Sequence, residues 1–278
     1  GAGLFIARSN PILSNITITG NETWGEGGGI YVESSDEVYS PEMEDVLIYG
    51  NVADNGGGMF CYGPSSPVLT RSIIAGNTAD SHAGIACDEG ANISLTNVTI
   101  CHNTAERVSG GLFLNDESRA TVVNSIFWQN SPCEVYFNWR NNPNFLDISY
   151  TDFDGERDGI NSNDNGEVIW GEGNFSSDPL FADVENADFH LTWENYPEED
   201  ESKSPCIDAG DPESAHDPDG TLADVGAQYF QQNGVREVGY LDTPDLAMDL
   251  AFSNNVIYIA DGLSGFRIID VSDPEEPE

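Results

Sequence analysis

Lysine occurs once in this chain, at Lys203, and lysine and arginine together number 9 against 49 aspartates and glutamates, a formal net charge of -40. A field of that sign repels nucleic acid, anionic lipid and polyanionic sugars, and it attracts divalent cations and basic partners. The same acid-rich surface also suits salty water, where charge is screened. No run approaches the ~20 apolar residues that cross a bilayer as a helix, and no basic stretch followed by an apolar one opens the chain as a signal peptide would. The five cysteines, Cys61, Cys87, Cys101, Cys133 and Cys206, are odd in number and irregular in spacing. They define neither a disulfide framework nor a zinc site and leave the redox compartment open. His82, His102, His190 and His216 are scattered without metal-ligand spacing. With 38% hydrophobic and 10% aromatic residues, the chain can still bury one large core or two medium ones.

The chain repeats itself. Asn closes the segments NITITGN, DVLIYGN, SIIAGN, NVTICHN and NSIFWQN at Asn21, Asn51, Asn77, Asn103 and Asn130. A second marker, Gly before an apolar residue, falls in step at Gly3, Gly29, Gly58, Gly84 and Gly111. After that Gly come Leu4, Ile30, Met59, Ile85 and Leu112, and two residues later Ile6, Val32, Cys61, Cys87 and Leu114. This period-2 alternation puts both columns on one strand face. Two more inward columns are Leu13, Met43, Leu69, Leu95 and Val122, and Ile18, Ile48, Ile74, Ile100 and Phe127. A unit of about 26 residues with three short strands cannot enclose a core alone, so the copies must stack around a shared apolar lumen. Gly, Asn, Thr and Ile dominate without any i, i+3, i+4 stripe, which excludes a helical repeat. Asn at a fixed turn position is expected to bond its amide up the stack and to tolerate left-handed backbone. A parallel column runs six residues earlier, through Asn15, Asp45, Arg71, Asn97 and Asn124. Cys61 and Cys87 should be inward neighbours on adjacent coils, with Cβ vectors side by side, and therefore two buried thiols.

GGGIYV, GGGMFC and NVTICHN resemble rungs of the pectin-lyase-like right-handed β-helix superfamily, in its branch of secreted right-handed β-helix repeat proteins. The resemblance implies an all-β, right-handed parallel β-helix solenoid over residues 1–155. It also implies an extracellular or cell-surface location. The chain starts inside a repeat unit without Met, so truncation at both ends is expected. The same superfamily holds lyases, hydrolases, epimerases, adhesins and passive stalks, and fold alone does not choose among them.

Residues 156–232 read as a closing segment similar to those of that branch. Phe181, Phe189, Leu191 and Trp193 are its packing residues, expected to cover the open end of the coil. PEEDESKSP, at 197–205, reads as a solvated acidic loop. From 233 to 278 the pattern changes to runs of β character separated by Asn254-Asn255 and Asp261-Gly262 turns. VIYIADGLSGFRIIDVSDP is similar to the LVIVD repeat, which implies one blade-like antiparallel unit of a propeller.

Candidate sites each have a structural counterpart. The outward column Phe5, Tyr31, Phe60, Ala86 and Phe113 is an aromatic stack that either contacts glycan or only stabilises the solenoid. Arg71 above Asp45 is either a proton-abstracting base of lyase type or a stacked ion pair. Calcium has two candidate loops: Asp208, Asp211, Asp217, Asp219 and Asp224, which equally read as turn-capping aspartates, and Asn161, Asn163, Asn165 and Gly166 followed by Glu172. No catalytic residue can be nominated. Two functions stay open: a non-catalytic extracellular or surface repeat protein, acting as a stalk or binding polysaccharide or other surface proteins, and a polysaccharide lyase or glycoside hydrolase of the same fold.

Overall fold

The computed structural model describes residues 3–140, 142–232, 247–253, 256–261 and 266–270. Residues 1–230 form one compact unit and 231–278 a second. The first is a parallel β-solenoid. One sheet stacks Leu4–Ala7, Ile30–Glu33, Met59–Tyr62, Ile85–Asp88, Leu112–Leu114, Val135–Phe137 and Ile160–Asn161 in that order. A second sheet stacks the longer wall of each coil, and a third joins Val52–Asn55, Thr78–His82 and Thr104–Ala105. The inward columns read from the sequence are continuous files. Ile18 pairs Ile48, which pairs Ile74, then Ile100, Phe127 and Phe153. All six are buried in one core. Burying each such side chain stabilises the fold by about 1.5–3 kcal/mol. Cys61 and Cys87 pair in register inside that core as thiols, with no S–S bond between them.

The marker glycine has a steric cause. A Cβ at Gly29 would stand 2.5 Å from the carbonyl oxygen of Gly58, and one at Gly58 would stand 2.7 Å from that of Gly84. Each coil therefore touches the next through bare backbone at this corner.

The asparagine reading divides between two columns. Asn21, Asn51, Asn77, Asn103 and Asn130 form the amide ladder, each Oδ1 from Asn51 onward accepting both the backbone N–H and the Nδ2–H of the Asn below at 2.9–3.0 Å. They are not left-handed. Positive φ falls instead on the residue before them, Gly20, Gly50, Gly76, His102 and Gln129, and on the corner column Asn15, Asp45, Arg71, Asn97, Asn124 and Tyr150. Gln129, exposed and at φ 52, does with a side chain what Gly76 does without one. Replacing Gln129 by Gly should therefore stabilise the unit by about 0.5–1 kcal/mol, the relief of left-handed strain less the entropy of glycine. Denaturant unfolding reads this directly, and an unchanged or lower midpoint would refute it.

The solenoid runs beyond residue 155: Gly166–Trp170 pairs with Asn144–Ser149 and extends the second sheet by a further rung. Phe153 and Trp170, edge to face at 5.7 Å, fill that end of the lumen. The start of the closing segment thus adds the rung that covers the end, and the rest of it runs elsewhere. That remainder lies along the outer flank, where Leu191, Trp193, Cys206, Ile207 and Val225 pack on Ile126, and Phe189 and Ala227 pack on Ile73, Ala75 and Cys101. The flank demands this cover because its outward residues turn mostly apolar after the first rung, from exposed Thr17 and Thr19 to Leu47 and Tyr49, Ile73 and Ala75, Thr99 and Cys101, then Ile126 and Trp128, and Thr99 accepts the N–H of Ala227 in the cover. Lys203 donates to Glu199 of the acidic loop at 2.9 Å and lies over the Trp193 ring at 4.2 Å.

In the second unit, Ala247–Ser253, Val256–Asp261 and Phe266–Asp270 form an antiparallel meander. The turn residues Asn254, Asn255 and Gly262 lie outside the described residues. Among the described residues no helix is long and apolar enough to cross a membrane.

Candidate functional site

The aromatic column of the first sheet is a ring stack. Phe5 and Tyr31 have centroids 5.4 Å apart, Tyr31 and Phe60 5.5 Å, and Phe113 and Tyr136 6.2 Å. At the Ala86 rung the missing ring is replaced from a neighbouring corner by His82, stacked on Phe113 at 3.6 Å. Burial holds that imidazole neutral, its pKa lowered to about 3. Phe60 and Phe113 are only 5% and 7% exposed. Phe5, 52% exposed, and half-buried Tyr31 are the more accessible part of the column. Burial, then the charges of Glu26 and Glu33, push the Tyr31 hydroxyl up to about 12.

Arg71 forms the stacked pair. Its Nε and Nη2 donate to Asp45 at 3.0 and 3.1 Å, and Nη2 also donates to Glu44 at 2.6 Å. Fixed between two carboxylates, the guanidinium is held in its charged form, opposite to what a base requires. It borders a cleft of about 280 Å³ between coil and closing segment, with Thr70, Asn97, His216, Asp217 and Tyr229 among its walls.

The cap aspartates are engaged with backbone. Asp224 accepts the N–H of Asp208 and of Phe230, both at 2.7 Å, and Asp217 accepts that of Asp224 at 2.9 Å. Asp211 caps Glu213 and Asp219 caps Thr221. Asp208 lies 3.9 Å from Lys203. Among the described residues no three acids, histidines or cysteines group as a metal would need. In the second loop, Asn163 and Asn165 donate their amides to the Phe137 and Asn138 carbonyls of the coil below, and Asn161 is part of a strand.

Two of the acids with the largest changes, Glu134 and Asp152, escaped sequence reading. Glu134, 4% exposed, ends the amide ladder by accepting the Asn130 N–H at 2.8 Å and its Nδ2–H at 2.5 Å, and burial pushes it up to about 8. Asp152 stands in the outward column above Ile126, beneath the closing segment, and accepts from Ser177 N at 3.0 Å and Cys206 Sγ at 3.3 Å. Burial raises Asp152 and Asp224 to about 7, and burial with the Asp219 and Asp208 charges raises Asp217 to about 6. The available signals were an acid four residues past a ladder Asn and an acid in a column whose other members, Thr17, Leu47, Ile73, Thr99 and Ile126, carry no charge.

Comparison with known proteins agrees with both units. The LVIVD repeat matches residues 246–278. No curated protein and no solved structure matches the chain. The description "Right handed beta helix region" matches residues 1–177, most of the chain, and the protein belongs to that family of parallel β-solenoids.

Proposed function

We propose that the protein is a non-catalytic extracellular or cell-surface repeat protein, its β-helix a rigid scaffold for binding faces and its second unit an LVIVD-type module. The carrying observation is the use made of the perturbed acids. Glu134, Asp152 and Asp224 are enclosed and bonded to backbone or amide donors, out of a substrate's reach. Catalytic acids and bases need the same pKa shifts in an open cleft. The rival reading, a polysaccharide lyase or glycoside hydrolase, is favoured by one feature, Asp217 at about 6 on the wall of the 280 Å³ cleft.

Prolonged incubation with acidic and neutral polysaccharides, with and without calcium, separates the two. The expected result is no new reducing ends and no unsaturated uronate. Depolymerisation that disappears in Asp217→Asn or Arg71→Ala would overturn the scaffold reading.

A further inference from the structure

The third sheet turns an unpartnered face outward. Its inward file is Ala53, Ala79 and Ala105, all buried, and alternation sends the residues on either side of each alanine to solvent. One outward column runs Glu22, Val52, Thr78, Thr104 and Ser131, each paired with the next and each exposed. Beyond the alanines, Asp80 and Glu106 follow in step on adjacent coils, while Trp24 and Asp54 stand at the same corner of the two earlier coils, where the register shifts. Trp24 is 89% exposed and Val52 41%. A groove of about 300 Å³ lies over Val52, Thr78 and Thr104, edged by Asp80 and Glu106.

A tryptophan in that state gains nothing for the fold, and its ring remains in water until a partner covers it. Charge complementarity selects the partner. Adjacent coils hold Asp80 and Glu106 at about the 4.8 Å strand spacing, with Asp54 on the coil before, so the carboxylates repel. Arg107, 3.1 Å from Asp80, is the one ion pair described on this face. A guanidinium seated on the Trp24 ring, with further cations along the acid column, would cover the ring and relieve the repulsion together. Thr78 and Thr104 supply hydroxyls that donate to or accept from a backbone laid in the groove.

We propose that this face docks an extended, arginine-rich segment of another protein, with Trp24 as the central anchor. The inference rests on the scaffold reading and gives that scaffold one partner chemistry. The test titrates the whole chain with a labelled ten-residue peptide of alternating Arg and Ser, with an alternating Glu and Ser peptide and a neutral glucan oligosaccharide in parallel. The Arg peptide should bind, and Trp24→Ala should weaken it about tenfold, as loss of an interface anchor does. Asp80→Asn with Glu106→Gln should weaken it and flatten its salt dependence. Glu198→Gln with Glu201→Gln, which removes equal charge from the acidic loop, should leave the affinity within about twofold. All variants should melt as the parent does, because these side chains are exposed.

Equal binding by the Trp24→Ala protein, equal loss from the loop variant, or Trp24-dependent binding of the oligosaccharide without the Arg peptide would each overturn the inference. None of these touches the scaffold reading, which fails only on sustained depolymerisation.

Discussion

Lowering the pH from 8 to 5 is expected to stabilise the β-helix unit, raising its Tm by roughly 10 °C. Glu134, Asp152 and Asp224 have folded pKa values raised by burial to about 8, 7 and 7, against 4.5 and 3.8 for free Glu and Asp. Between those limits the folded chain keeps protons that the unfolded chain has released. The stability they represent is complete below the unfolded pKa values and is lost as pH rises through the folded ones. A tenfold tighter hold on one proton corresponds to ~1.4 kcal/mol. Opposing this, burial keeps His82 neutral in the fold and lowers His102, so unfolding gains protons there below about pH 6.5. Asp188 and Asp200, both lowered, favour the fold only above the ordinary Asp range. With the smaller share of Asp217, raised to about 6, four protons retained against at most two refused leave a net gain on the order of 3–5 kcal/mol toward pH 5, about 2–4 °C per kcal/mol for a unit of this size.

Asp152→Asn tests the assignment. Its amide oxygen keeps the bond from Ser177, and no proton is needed to bury it, so the variant should gain stability at pH 8 and show a shallower profile. A flat parent profile, or a variant with the parent's slope, would contradict it.

The parts of this fold legible in the sequence are those set by stacking identical positions. Marker glycines, inward files and the amide ladder repeat because each copy meets the same neighbour, and Gly58 is glycine for the reason Gly29 is. What stayed hidden occurs once. Glu134 and Asp152 look like any of 49 acids until the coil encloses them. The path of the closing segment was encoded in the repeat columns themselves: Ile126 and Trp128 flank inward Phe127, and three bulky residues in succession cannot all point into one lumen. Alternation sends the flanking pair outward, where they need cover. Likewise, left-handed φ belonged to Gly76 rather than Asn77, since an amide committed to the ladder leaves the strain to the residue before it.

Asn77→Ala, at one of three equally buried and equally bonded ladder positions with Asn51 and Asn103, should cost about 3–5 kcal/mol, while Asn21→Ala should cost under about 1 kcal/mol. Asn77 is fully buried, and its amide serves four hydrogen bonds. Oδ1 accepts Asn51 N at 2.9 Å and Asn51 Nδ2 at 3.0 Å; Nδ2 donates to Ile48 O at 3.0 Å and to Asn103 Oδ1 at 2.9 Å. Alanine strands two donors of Asn51 in a site with no water to replace the acceptor. Asn21, at the partly exposed end, only donates, and solvent can take its place. Asn77→Asp sharpens the test, because it preserves shape and places an oxygen where Nδ2–H faced the Ile48 carbonyl and Asn103 Oδ1. Acceptor would meet acceptor, and a buried charge would be added. Aspartate should therefore be at least as harmful as alanine at pH 8 and recover in part toward pH 5, when a protonated oxygen can donate one of the two lost bonds. Equal costs at positions 21 and 77, or an aspartate variant as stable as the parent at pH 8, would show that the amides hold the coils together less than the apolar files do.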